Sequence, residues 1–361
     1  MDKSSQVIAM YLLVHIGLIF FTYPADVIAS LSVGHWSAIL LGFACHFTLL
    51  GIYTKGLSRF ASQNLIDIFR GTGKAFAVVL LFPVMAYLFM TMVVTVRVYA
   101  EIITVVFIGN TPIWSVMLLV VAVCALISSF GVESLFRTGV LVAILFLPLL
   151  LAVFILSFQN ADWRYLLPLI DERSASFSYV FRRPYLLSQF AFAGGFVFLG
   201  FIPSYIPYER RKVVRASFLL LPLFLISVYI PLLTFGEDTA ARFQFPFIMA
   251  VDTVDVSWLM FDRVTVFFMI SLICFVLLYL SLAMWKTVLL LRSGIPLIRP
   301  VQANASLAAV LYIVCALIPD WESVERLLGW NLFLLAYVTM VIPLVTFLLG
   351  LRRERMGAAR P

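Results

Sequence analysis

The sequence predicts an all-α integral membrane protein of about ten transmembrane helices, and three observations carry that prediction. Of its 361 residues, 63% are hydrophobic and only 12% charged, about half the charged share of a soluble domain. Mean hydropathy is +1.09. The apolar runs are close to the ~20 residues a helix needs to cross ~30 Å of hydrocarbon, and they lack the short alternating strands of a membrane barrel.

Taken in order, the first span covers 6–27, an apolar run interrupted at His15-Ile16-Gly17. Only Lys3 precedes it and no small-residue cleavage site follows, so it is expected to be retained rather than removed as a signal peptide. The second span covers 35–53 and leads into a basic connector, 54–75. The third, 76–107, is the longest and is expected to tilt; its tail carries Arg97 and Glu101. The fourth covers 112–129 and the fifth 135–157, followed by a connector over 158–183. The sixth, 184–206, contains Ala191-Phe192-Ala193-Gly194-Gly195-Phe196 at its centre. The seventh, 213–235, opens onto an acidic connector, 236–263, with Glu237, Asp238, Asp252, Asp255 and Asp262, read as solvated loop surface. The eighth covers 264–291, the ninth 302–319 and the tenth 328–351, before a basic tail at 352–361.

Charge sets the orientation. Most of the 25 Lys and Arg fall in one alternate set of connectors and tails, including Lys55, Arg59, Arg70, Lys74, Arg210, Arg211, Lys212 and Arg352. The other set includes Arg164, Arg173, Arg182, Arg183, Arg242, Arg263 and Arg326, while Arg97 sits within a span. Positive connectors face the cytoplasm, so both termini are expected there. The formal net charge of +7 is therefore topological and implies no nucleic-acid partner.

Dividing the chain between the fifth and sixth spans gives two sets of five, 1–157 and 184–351, separated by an extracytoplasmic connector, 158–183. Because five is odd, the second set enters the membrane with opposite polarity, which permits an inverted repeat. The long connectors 54–75 and 236–263 are then equivalent. Interrupted helices at matching positions of two halves are the best sequence pointer to a transporter-type binding site.

At such breaks, half-helix ends present free N–H and C=O groups that suit a zwitterion such as an amino acid. Gly194 and Gly195 have a plainer reading as close helix-packing residues. His15 is an ionisable group at membrane depth and a candidate for a ligand or a proton, with the equal alternative of a neutral, satisfied histidine lining a cavity; His46, with no visible partner, is read as structural. Arg97 and Glu101, four residues apart, share a helix face and either close an outer vestibule or snorkel to the interface. Thr91, Thr95 and Ser271 offer hydroxyls to a ligand or ion, against the plainer expectation that they bond their own backbone. Cys45, Cys124, Cys274 and Cys315 have no pairing or metal spacing and read as core residues. Asn304-Ala305-Ser306 matches a glycosylation sequon by chance, at a cytoplasmic helix start. No nucleotide loop, metal cluster or catalytic triad is present in the sequence, so neither enzymatic activity nor a cofactor is expected.

Several short pieces in order resemble the spore germination permease family, the B subunits of nutrient germinant receptors within the amino acid-polyamine-organocation superfamily. They are 17–24, Arg97 with Ala100 and Glu101, Thr111-Pro112, 131–137, 162–168, the sixth-span break leading to Pro203, Asp262-Arg263, Pro319-Asp320 and the tail from Arg352. The resemblance implies a LeuT-like 5+5 inverted repeat with broken first and sixth helices, in the spore inner membrane alongside two other receptor subunits. It places ligand contacts at His15, Gly17 and Leu18 and at Phe192, Ala193, Gly194, Gly195, Phe196 and Val197. Of the family's glycine-rich first break only Gly17 remains, and Val197 stands where some relatives carry an acid. The function implied is sensing of an amino acid or similar small nutrient. The competing readings are a proton- or sodium-coupled amino acid transporter and a non-binding assembly scaffold.

Overall fold

In lipid an exposed backbone polar group has no water to bond, so a chain this apolar satisfies itself segment by segment as helices. The computed structural model describes residues 2–60, 63–106, 109–169, 177–193, 195–255 and 264–358. Gly194, Arg173, Asp262, Arg263 and Arg360 lie outside the described residues.

Among those residues six helices are long and apolar enough to cross a membrane, and the bent pair Lys3–Ile19 and Tyr23–Ser30 makes a seventh. The shorter apolar helices Ile113–Ser129 and Pro300–Ala316, with the interrupted sixth segment, complete the ten expected. The third span, Lys74–Val106, has 33 residues. At 1.5 Å per residue that is about 50 Å, well beyond the hydrocarbon thickness, so tilt is its natural accommodation.

The first break lies elsewhere than expected. The first helix continues through His15 and Gly17 to Ile19, and the chain bends by 58° before Tyr23. Proline is the cause. Pro24 lies in the first turn of the next helix, where its missing N–H costs nothing, whereas continuing the helix through it would drive its ring into the carbonyl of Phe20. Gly17 alone only weakens a helix.

The sixth segment breaks where expected. It runs as Arg183–Ser188, Phe190–Ala193 and a 3-10 turn Val197–Phe201. The tenth span starts at Trp321 rather than near 328, because Asp320 caps it by accepting a hydrogen bond from the Ser323 N–H at 2.8 Å. It is interrupted by a π-turn at Tyr337–Val341 before resuming as Ile342–Ala358.

Both ends of the chain share one face, here the near face. Lys3 Nζ donates to the Tyr205 carbonyl at 2.8 Å, the Glu209 N–H donates to Ser4 Oγ at 3.1 Å, and Arg59 Nε donates to Glu354 Oε2 at 2.8 Å. On the far face Asn160 Nδ2 donates to the Thr253 carbonyl at 2.8 Å.

The two long connectors fill equivalent places. Leu65–Thr72, capped by Asn64, buries Leu65, Ile66, Ile68 and Phe69, and packs on the second half of the sixth segment. Pro246–Asp252 packs on Tyr23–Ser30, the second half of the first span, with the Phe247 ring 4.7 Å from that of Phe20. Each connector thus seals the rear half of one broken helix, the relation an inverted repeat requires.

Close crossings tighten the bundle. A methyl group at Gly56 would lie 2.8 Å from the Phe347 backbone nitrogen, whereas one at Gly51 would meet nothing within 4 Å. Gly56→Val should therefore separate the second and tenth spans and lower stability by about 1–3 kcal/mol. Gly51→Val should change it by less than about 0.5 kcal/mol. Thermal denaturation of the two variants in detergent checks this, and equal behaviour would overturn the crossing.

Candidate functional site

Two interrupted helices meet where a side chain is missing. An ideal Cβ built on Gly195 would lie 1.7 Å from His15 Cε1 and 2.2 Å from its Nε2. The imidazole of the first span therefore occupies the space that any larger residue at the sixth-span break would need. Gly195 is required by this packing. The neighbouring Gly194 lies outside the described residues.

His15 is fully buried, and its Nδ1 lies 2.7 Å from the carbonyl of Tyr11 one turn earlier. A carbonyl only accepts, so Nδ1 carries the hydrogen, and in the neutral ring Nε2 is a bare lone pair. Tyr11 also links to the second span through its hydroxyl, 2.7 Å from His46 Nε2. The His15 and His46 rings stand edge-on with centroids 5.0 Å apart. His15 Nε2 and His46 Nδ1 are buried and meet no hydrogen-bond partner among the described residues, although the Phe192 backbone lies beside both rings. An orphaned buried acceptor costs about 1–3 kcal/mol, so this corner is suited to an N–H donor such as an ammonium, or to a proton.

Aromatic rings wall it. Phe192 stacks on Phe224 at 4.0 Å and sets an edge against Tyr23 at 5.7 Å. His46 touches Phe192 at 5.6 Å and Phe196 at 5.4 Å. Two tyrosines hold backbone carbonyls at or near the breaks. Tyr99 of the third span donates to the Gly17 carbonyl at 2.5 Å, and Tyr53 of the second span donates to that of Val197 at 3.1 Å. The Tyr53 hydroxyl fits only because residue 200 is glycine, where a Cβ would lie 2.1 Å away.

The other expected residues divide. Gly17 allows the first span to cross the eighth, its Cβ position being 3.2 Å from the Phe275 backbone, and Leu18 is buried beside it. Ala193 ends the short helix before the break. Thr91 Oγ1 accepts from Asn331 Nδ2 at 3.2 Å, tying the third span to the tenth rather than to the break. Thr95 is fully buried, and its hydroxyl has no partner among the described residues. It lies one turn from Tyr99 on the same helix face. Ser271 donates to the Phe267 carbonyl of its own helix at 2.7 Å, the plainer of its two expected roles.

Arg97 does not snorkel. It is 5% exposed, pairs with Glu101 at 2.9 Å and reaches the carbonyls of Ile318 at 3.4 Å and Pro319 at 3.5 Å. It fastens the turn between the ninth and tenth spans to the third.

His46, Tyr11, Tyr53 and Tyr99 are the participants that sequence reasoning missed. Tyr11 stands four residues before His15, a spacing that could have been read; the partners of His46 come from other helices. Lys286, within the eighth span, is 2% exposed.

The family model for spore germination proteins matches residues 3–322. No curated protein sequence matches significantly. Among solved structures the chain is similar to a mutant of the manganese transporter of Eremococcus coleocola, at 15% identity and a TM-score of 0.63, over 94% of this chain and 78% of that one. It is also similar to MhsT in complex with L-phenylalanine, at 12% identity and a TM-score of 0.57, over 96% of this chain and 98% of that one. These similarities show a shared LeuT-like fold.

Two expectations follow. Gly195→Ala should lower stability by about 1–3 kcal/mol, and His15→Ala should offset most of that loss in the double variant, with a coupling above about 0.5 kcal/mol. Additive losses in thermal denaturation would overturn the packing of His15 into residue 195. Separately, Arg97→Ala should cost about 1–3 kcal/mol, whereas Arg164→Ala, whose side chain is 90% exposed beside Asp162, should cost less than about 0.5 kcal/mol. Equal effects would return Arg97 to the surface.

Proposed function

The chain belongs to the spore germination protein family, and on that premise we propose that it is a permease-like subunit of a nutrient germinant receptor. It binds an amino acid or similarly small zwitterion at the crossed breaks and passes a rearrangement to partner subunits. The observation that carries this reading is the buried, bare Nε2 of His15 facing the interrupted backbone at Phe192 and Gly195. The ligand ammonium takes the place of the missing donor there, beside the Phe192 carbonyl. Its carboxylate is met by free N–H groups at the start of the Val197–Phe201 turn. Binding then competes with the packing of His15 against Gly195, so the ligand favours one arrangement of the two broken helices over the other, which a signal requires.

The reading extends to its setting. The membrane is the spore inner membrane, and the near face, which gathers Lys3, Arg59, Arg210 and Arg353, is cytoplasmic. Arg97 and Glu101 hold the tenth span in register with the third, and that contact is the route by which a shift at the breaks reaches the far face.

A second reading has its own support. The same bare imidazole nitrogen suits a proton, and a proton-coupled amino acid transporter would use it for coupling. Flux separates the two. Purified protein in liposomes, given a panel of amino acids with and without a proton gradient, should bind at least one saturably without accumulating it, and Gly195→Leu should remove that binding while the protein stays inserted. Gradient-driven uptake would make it a transporter, and unchanged affinity in Gly195→Leu would remove the site from the breaks.

A further inference from the structure

A cavity lies beside the sixth-span break and is not used by the pairing of His15 with Gly195. It encloses about 440 Å³ between the second, sixth and tenth spans. Leu49, Leu186, Leu332, Phe333, Leu335 and Met340 supply much of its wall. Two of its polar members, Thr339 and Gln189, are turned to backbone. Thr339 Oγ1 donates to the Leu335 carbonyl at 2.8 Å, and Gln189 Nε2 points to the Tyr185 carbonyl at 3.5 Å. An apolar hollow of this kind is a poor place for water, which needs two to four polar partners.

The hollow opens sideways, toward lipid. Phe333 is 81% exposed and Met340 48% exposed, and Cys45 is exposed on the second span. The tenth span passes it at the π-turn Tyr337–Val341, a local widening of the helix often found at functional sites. The inner wall is formed by His46, Phe192 and Phe196, the rings that also border the break.

At the far-face end stands Arg183. It is exposed, lies across the tenth span 3.2 Å from the Cβ position of Gly329, and donates to the Glu325 carbonyl at 3.2 Å. One guanidinium N–H is thus engaged, leaving donors for an anion in the fork geometry that fits phosphate. The nearby acids are Glu325, whose carboxylate accepts from Trp321 Nε1 at 2.7 Å, and Asp26, which lies within electrostatic reach of Arg183. From Arg183 to Phe192 is nine residues along the sixth segment, roughly 13 Å at helical rise. A cationic end and an apolar, laterally open trough of that depth match an anionic head carrying a hydrocarbon chain.

We propose that this cavity is a lipid site: one acyl chain of an anionic phospholipid from the far-face leaflet enters between the second and tenth spans, and its phosphate rests on Arg183. The site is distinct from the zwitterion site at the breaks and shares with it only the wall of His46, Phe192 and Phe196. A chain seated there braces the sixth-span break from behind.

Native mass spectrometry of the purified full chain, titrated with dioleoyl phosphatidylglycerol or dioleoyl phosphatidylcholine, tests this. One phosphatidylglycerol should remain bound under activation that strips the rest, at least tenfold more tightly than phosphatidylcholine. Arg183→Gln, at an exposed position, should bring the two lipids to equal retention. Ala336→Trp and Leu332→Trp, which fill the trough, should abolish the retained lipid while the melting temperature shows a folded protein. Equal retention of both lipids by the unmodified chain, or undiminished phosphatidylglycerol preference in Arg183→Gln, would overturn the proposal. So would displacement of the lipid by a saturating amino acid, which would make the trough part of the zwitterion site.

Discussion

The contact on which the rest of this structure depends is the seating of the His15 imidazole in the space left by the missing side chain of Gly195. Two helices interrupted at membrane depth leave backbone groups that lipid cannot satisfy. They must face protein, and here the sixth-span break at Gly195 faces His15 of the first span, while Phe20 at the first break packs on Phe247. Because His15 also reaches back to the Tyr11 carbonyl, and Tyr11 reaches across to His46, the first, second and sixth spans are drawn to one point. The rings of Phe192, Phe196, Tyr23 and Phe224 close around it.

A matched pair of tyrosines supports the carbonyls. Tyr99 serves Gly17 in the first span and Tyr53 serves Val197 in the sixth. In each case an amphipathic hydroxyl from a neighbouring span supplies a donor to the carbonyl; at the sixth span Gly200 makes room for the Tyr53 hydroxyl, whereas Gly17 makes room for the eighth span. The same logic governs the connectors, where Leu65–Thr72 and Pro246–Asp252 each cover the rear half of one broken helix. The pseudo-symmetry is thus expressed in what each part covers, and sequence identity between the halves is not needed for it.

The break region has polar groups in excess of their partners, whereas the trough beside it has almost none available. His15 Nε2, a bare acceptor, and His46 Nδ1 and Thr95 Oγ1 are buried polar atoms without partners among the described residues, and such groups favour a polar occupant. The trough turns its hydroxyl and amide to backbone and leaves hydrocarbon walls. Arg97 is a third kind of polar feature, a buried cation fully employed in holding a turn, which separates a structural charge from a vacant site.

The sequence by itself determined the helical membrane fold, the ten apolar segments and their alternation, the interruption of the sixth span between Ala193 and Val197, and His15 and Arg97 as residues out of place in lipid. Those follow from composition and local chemistry, which neighbours in the chain dictate. The first break lies past His15 and Gly17, because Pro24, whose ring acts four residues upstream on Phe20, interrupts a helix more strongly than a glycine does. Only the tertiary structure decided that His15 fills the gap at residue 195, that His46 has a partner in Tyr11, that Thr91 serves the tenth span and that Arg97 fastens the turn between the ninth and tenth. Each of those contacts joins residues far apart in the chain, and a pairing across helices depends on their crossing angles and depths, which no local pattern encodes.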